Sequence, residues 1–287
     1  MDSALELKIG IYNRKEFSDK QIMDKLQKSE LVTELTTDLP DKSLALVWRL
    51  ICISEIPFIH KLAYTQKLIE KVYEKLSTPF GFSLSGDEKM YLPCYNAMIV
   101  SALCRLDKAN DQQVRNAVEW INTNQPMQKG VKVEIPNFSF DKYGGCFKNT
   151  PCYIGLAKSV FALIDFKERT NETKFDTQLK KGTAYILDHK FFKRLTKDEP
   201  ITKHITDISF PETYHLNVIE LLRFANKANL LKDKKSADLI NYIKNKQSKV
   251  GKWKNSFKYK ADGYVCFDKG KKESEWTTQI IKQALTK

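Results

Sequence analysis

Long apolar runs are missing from this chain. The strongest, Leu44 to Ile53, is ten residues long and is interrupted by Arg49, whereas a helix that crosses a bilayer needs about 20 such residues. The start is also unlike a signal peptide. It reads Met-Asp-Ser-Ala-Leu-Glu-Leu-Lys, with no basic segment followed by an apolar stretch. These two absences predict a soluble, cytoplasmic protein with no membrane span. No CxxC occurs. The six cysteines (Cys52, Cys94, Cys104, Cys146, Cys152 and Cys266) are scattered along 287 residues, a length at which disulfide staples are not needed. Cys146 and Cys152 stand apart by a spacing that suits zinc fingers poorly. Gly144-Gly145 is too short for a phosphate loop and reads as a turn. Arginine-rich arms and specific nucleic-acid motifs are absent as well.

What is present belongs to an ordinary globular chain. Hydrophobic residues make up 42% and charged residues 29%, which excludes disorder as the dominant state. Lys and Arg number 48 against 35 Asp and Glu, a net charge of +13. That balance is compatible with nucleic acid, an anionic membrane surface or a phosphorylated substrate. Because the lysines are spread out, a solvated lysine-rich surface is the plainer reading. The basic stretch from Lys254 to Lys272, interleaved with Phe257, Tyr259, Tyr264 and Phe267, is compatible with contact to a nucleic acid or a membrane, but a solvated connection before the last helix is the plainer reading.

A repeat organises the chain. Four segments look like helix starts with an aromatic residue in register, at Tyr95, Tyr153, Tyr214 and Trp276. Successive differences between those numbers are 58, 61 and 62. Each aromatic is followed by apolar residues three and four apart, as a helix burying one face requires. Pro93, Pro151 and Pro211 precede three of them, where proline is tolerated because the first helical N–H groups lack partners. Trp120-Ile121, Tyr185-Ile186 and Tyr242-Ile243 mark a second helix in each unit. Leu44 to Ile53 and Thr65 to Leu76 form a weaker first unit. The spacing predicts a single all-α domain over residues 1–287, with a weaker helical part at 1–60 and the repeats at 60–287. Long links, Pro126 to Pro151 and Leu195 to Pro211, are expected to be functional or capping elements.

The stretch from Tyr242-Ile243 through Gln247 and Gly251 to Trp253 resembles the QW repeat of squalene and hopene cyclases at all five specified positions. Trp120-Ile121 with Gln125 resembles its first half, and Gly182 with Tyr185-Ile186 resembles its opening. The chain from about residue 60 onward is therefore similar to the terpenoid cyclase and protein prenyltransferase repeat family, as a small single-domain member. That resemblance implies an α/α toroid of about five helical hairpins and a structural role in which Gln247 bonds the exposed backbone end of a helix, Trp253 packs on it and Gly251 turns the chain. It implies no activity, because fold does not give function. The Asp-x-Asp-Asp acid motif of the cyclases is absent; Asp87-Glu88 and Asp198-Glu199 do not fit it. The Asp-x-Cys zinc pair of the prenyltransferases is absent too.

In a toroid the inner helices run parallel, and their N-terminal ends gather at one mouth of the cavity. Helix N-termini favour anions and depress thiol pKa values. Cys94, Cys152 and His215 are then candidates for a zinc site with an open position, with Cys146 or His204 as substitutes. The plainer alternative is that the cysteines are small buried residues and that His215 satisfies a backbone carbonyl. Tyr95, Asn96, Tyr153, Tyr214, His215, Glu275 and Trp276 are candidates to line a ligand cavity, against an alternative in which the aromatics only fill core. Asp141, Asp207, Glu212 and Glu275 are candidate general acids. The expected function is that of a prenyltransferase- or terpene-cyclase-like enzyme acting on a hydrophobic substrate, with or without a phosphate. The alternative is a non-catalytic toroid that binds a peptide, a lipid or a partner protein.

Overall fold

The computed structural model describes residues 1–88, 91–128, 130–131, 152–268 and 274–286. Cys146, Asp141, Gly144-Gly145, Pro151 and the end of the basic stretch lie outside these residues. The described chain is all-α. Its helices are α1 Ser3–Tyr12, α2 Asp19–Lys28, α3 Glu30–Thr36, α4 Ser43–Ser54, α5 Ala63–Leu76, α6 Pro93–Arg105, α7 Gln112–Asn124, α8 Tyr153–Thr170, α9 Asp176–Asp188, α10 Val218–Lys227, α11 Ala237–Asn245 and α12 Glu275–Leu285. The extended structure among these residues is slight. Two-residue strands β1 (Ser77–Thr78) and β2 (Gly81–Phe82) pair antiparallel, with Ser77 opposite Phe82, and one isolated bridge joins Lys193 and Pro200. No described helix is long and apolar enough to cross a membrane.

From α4 onward, two kinds of helix alternate. In α4 every residue from Ala45 to Ser54 is buried, and α6 and α8 are covered nearly as completely. Helices α5, α7, α9 and α11 bury one face only. A helix apolar all round belongs inside, and an amphipathic one belongs at the surface. The inner helices run parallel. Gly155 in the first turn of α8 lies against Pro93 and Cys94 at the start of α6. At the other ends Arg105 meets Glu55, which follows α4, and Asp165 of α8. Asn226 near the end of α10 donates to Ala284 and Thr286 at the end of α12. The outer helices return in the opposite sense: Lys71 and Lys75, late in α5, both pair with Asp41 just ahead of α4.

Close approach sets two of these contacts. Gly182 of α9 lies against α8, where an added Cβ would stand 2.3 Å from Cγ2 of Val160. Gly263 has φ of +79° and lies on the first turn of α4, where an added Cβ would stand 2.1 Å from the Ala45 carbonyl oxygen. Buried Arg49 secures the same region. It donates to the carbonyls of Leu35, Asp38 and Gly263 and to the Tyr64 hydroxyl.

The spacing predicts a helix start at Thr213, but α10 begins at Val218. Thr213 Oγ1 accepts from the His215 amide at 3.1 Å, a local bond that competes with helix formation. Asn217 then caps α10, accepting from Ile219 N and Glu220 N at 2.9 and 3.3 Å. Four inner–outer pairs form (α4 with α5, α6 with α7, α8 with α9, α10 with α11), while α12 has no following helix among the described residues and packs beside α1.

The five residues that resemble a QW repeat divide their work differently from the expectation. Trp253 is 2% exposed, and its Nε1 donates to the Ile243 carbonyl at 2.7 Å, so the indole itself caps α11. Its backbone N–H donates to Thr278 in the first turn of α12. Gly251 turns with φ of +75°, as a glycine there permits. Gln247 is exposed. A glutamine does cap a helix end elsewhere: Gln178 of α9 donates to the carbonyls of Asn122 and Gln125 at the end of α7.

Candidate functional site

The two ends of the parallel helices differ in chemistry. The C-terminal end is filled by buried ion pairs. Glu55, with no exposed surface, accepts from Arg105 at 2.9 Å, from Arg223 at 2.6 and 3.2 Å and from Lys8 at 3.4 Å. Burial pushes its carboxyl up, but Arg223, Arg105 and Lys8 outweigh burial and hold it far below the ordinary range. Arg105 also donates to Asp165 and Glu212, and Lys227 pairs with Asp165 and Glu168. Deeper in, Lys158, 1% exposed, donates to Glu212, Glu220 and the Thr213 carbonyl. Burial and the neighbouring Glu212 carboxylate push Glu220 up, against the pull of Lys158. Glu212 is thus a buried ion-pair partner and not a free acid.

The N-terminal end is aromatic. Trp48 of α4 meets Tyr95 of α6 with ring centroids 6.0 Å apart and Tyr259 at 5.1 Å. Tyr95 stacks on Tyr214 at 6.0 Å with 20° between planes. Tyr214 touches His215, and His215 lies 4.4 Å from His204. Phe257 contacts both imidazoles, at 4.9 Å to His204 and 5.9 Å to His215. Trp48 is fully buried, whereas Tyr95, Tyr214, His204, His215, Phe257 and Tyr259 are half-buried. The Trp48 Nε1 donor is buried without a hydrogen-bond partner.

His204 Nδ1 stands 2.7 Å from Asp207 Oδ2. The carboxylate holds the ring through Nδ1, the arrangement by which a carboxylate orients a catalytic imidazole. For His215, burial comes first in lowering proton affinity; adjacent His204 and then Lys158 add to it, against Asp207. Burial likewise pushes the Tyr95 phenol up, helped by Cys94, Tyr259 and Tyr214. At neutral pH the site therefore offers one carboxylate-held imidazole, a neutral His215 and a protonated Tyr95.

The expected zinc trio does not assemble. Among the described residues no group of three His, Cys, Asp or Glu side chains stands close enough to hold a metal. The starts of α6 and α8 do adjoin, but Cys94 is buried, and burial, followed by its neighbour Cys152, pushes its thiol up to about 12. Burial overrides the helix-end field that favours a thiolate. Cys152 serves as the N-cap of α8, its Sγ accepting from Gly155 N at 3.3 Å, and His215 faces His204 and Phe257 instead.

Of the expected cavity residues, Tyr95, Tyr214 and His215 come together. Asn96 does not join them: it is buried and ties β2 to α7, accepting from Phe82 N and donating to the Ala117 carbonyl. Tyr153 is buried beside Tyr185 and His189, with its hydroxyl donating to the Phe191 carbonyl. Trp276 packs in the core on Phe210 and Phe267. Glu275 is exposed on the first turn of α12. Trp48 was not singled out in the sequence, because it reads there as one more apolar residue of α4.

No family model matches the chain, and neither a curated protein nor a solved structure does.

Proposed function

We propose that the chain is an α/α toroid similar to the terpenoid cyclases and protein prenyltransferases, and that it performs acid–base chemistry on a hydrophobic substrate at its aromatic end. The order of contacts supports a ring. Helix α4 lies beside α6 and α6 beside α8; α8 reaches α10 through Lys158–Glu220 and Phe161–Phe224, and α10 lies beside α12. Helix α1 then bridges from α12 to the Glu55 carboxylate after α4.

The observation that carries the chemistry is the continuous patch of half-buried rings beside the Asp207–His204 pair. Half-buried rings present apolar faces for a ligand to cover, at about 25 cal/mol per Å². The same faces stabilise developing positive charge, an effect worth about 2 kcal/mol or more when desolvated. His204 Nε2 is the general base; once protonated, it is stabilised by Asp207 and becomes the general acid. His215, its proton affinity lowered by burial, remains neutral beside it.

Farnesyl diphosphate serves as the test substrate. Its conversion, followed by mass spectrometry, should fall by about 100-fold or more in His204→Ala, with binding affinity within about threefold of the wild type. Asp207→Asn should reproduce most of the loss. Equal conversion by wild type and His204→Ala, or no conversion by the wild type, would refute the acid–base reading.

A further inference from the structure

The segment after α11 covers the aromatic end with a two-residue alternation. Trp253 and Asn255 are buried and Phe257 and Tyr259 half-buried, while Lys252, Lys254, Ser256, Lys258 and Lys260 face solvent. This is the side-chain period of extended chain. It turns the aromatic rings inward onto His204, His215 and Trp48 and the lysines outward. With Lys244, Lys246 and Lys249, residues 244–260 hold seven lysines and no Asp or Glu, so they supply 7 of the chain's net 13 positive charges. Lys244, Lys249, Lys252, Lys254 and Lys260 have no ion-pair partner among the described residues. Several acids at the same end are already paired: Asp38 with Arg49, Asp41 with Lys71 and Lys75, Asp198 with Lys193 and Asp262 with Lys42.

Exposed apolar side chains gather at this end too. Among the described residues, seven large ones are exposed. Two, Met1 and Ile11, belong to the α1 region. The other five are Leu39 and Leu44 at the start of α4, Phe80 after α5, Leu195 after α9 and Val250 after α11. All five positions lie where the chain enters an inner helix or leaves an outer one, which is the aromatic end. Val250, 69% exposed, sits on the turn between Lys249 and Lys252.

We infer that this end docks on an anionic membrane surface, with the lysines against the head groups and the apolar tips, Val250 foremost, entering the interface. Lysine clusters are drawn to anionic bilayers, and apolar side chains beside them add insertion. A nucleic-acid partner fits less well. The aromatics that would stack on bases face inward, and residues 244–260 contain no arginine to grip phosphate in a bidentate fork. The inference stands whether or not the acid–base reading holds, since it concerns only the outer face.

Vesicle co-sedimentation of the full chain tests it. The protein should sediment with phosphatidylcholine vesicles carrying about a third phosphatidylglycerol and not with phosphatidylcholine alone. Lys249→Glu/Lys252→Glu/Lys254→Glu should weaken binding by about tenfold or more. The milder Gln triple should weaken it less. Lys232→Glu/Lys234→Glu, at the opposite end ahead of α11, should leave it within about twofold. Circular dichroism melts of each variant report folding. No binding to the anionic vesicles, equal binding to neutral ones, or an effect of the control pair as large as that of the triple would overturn the proposal. So would a single-stranded oligonucleotide that binds as tightly as the vesicles at the same salt.

Discussion

Glu55→Gln removes one negative charge from the point where three cations converge. The glutamine keeps the volume and one acceptor, but its amide nitrogen must face a guanidinium or the Lys8 ammonium. The Glu55 side chain is wholly buried, and those of Arg105, Arg223 and Lys8 are 17%, 19% and 16% exposed. Water therefore reaches the stranded cations only partly. Breaking a buried pair by removing one partner costs about 3–5 kcal/mol. For a chain of this size that is a fall in melting temperature on the order of 10 °C. The pH dependence has a definite sign. The folded carboxyl lies below its ordinary value of 4.5, so its stabilisation is present above that value and is lost as pH falls through the folded one. The gap between wild type and variant, measured by differential scanning calorimetry, should be widest near neutral pH and narrow on acidification. A variant melting within about 1 °C of wild type at pH 7 would refute the argument that this carboxylate holds the network together.

Trp253→Ala should destabilise by about 3–5 kcal/mol in chemical unfolding, since it empties a core site and uncaps α11; an unchanged midpoint would show that the indole is dispensable. Gly263→Ala should cost about 2–3 kcal/mol or more, because the new methyl meets the backbone of α4 and not a side chain that can swing away. A neutral result there would contradict the packing of residues 261–265 on α4. His215 carries a pH signature. Its folded proton affinity is below the ordinary 6.5, so the unfolded chain takes up a proton that the folded chain resists, and stability declines as pH drops through that window. His215→Phe should flatten the pH dependence of melting just below 6.5, and an unaltered curve would place the titration elsewhere.

Much of the fold was legible because burial writes its period into the sequence. The apolar stretches of α4, α6 and α8 and the one-sided patterns of α5, α7, α9 and α11 could be located from spacing alone. Thr213 misled the reading, since its hydroxyl makes a local turn that delays α10 until Asn217 caps it. The site was half legible. Tyr95, Tyr214 and His215 follow from the repeat, and they meet. Tyr153 and Trp276 hold equivalent positions and do not join them, because repeat register fixes a place along a helix and not the direction in which a ring packs. The Asp207–His204 pair depends on a three-residue loop spacing that resembles many others. Only in the folded chain does Phe257, from the segment after α11, bring that pair against His215. The thiol–imidazole cluster does not form because His215 packs on His204 and Phe257, so that only the two cysteines at the starts of α6 and α8 adjoin.

The proposed seat for an apolar ligand is the cluster of rings at the N-terminal end. Isothermal titration with farnesyl diphosphate, comparing wild type with Tyr95→Ala and Tyr214→Ala, tests it most directly. Each ring should contribute about 1–2 kcal/mol to binding, a weakening of roughly 5- to 30-fold per substitution, while Tyr153→Ala at the equivalent but buried position should leave the affinity of the folded protein within about twofold. Equal affinities in wild type, Tyr95→Ala and Tyr214→Ala, or no saturable binding at all, would contradict the account.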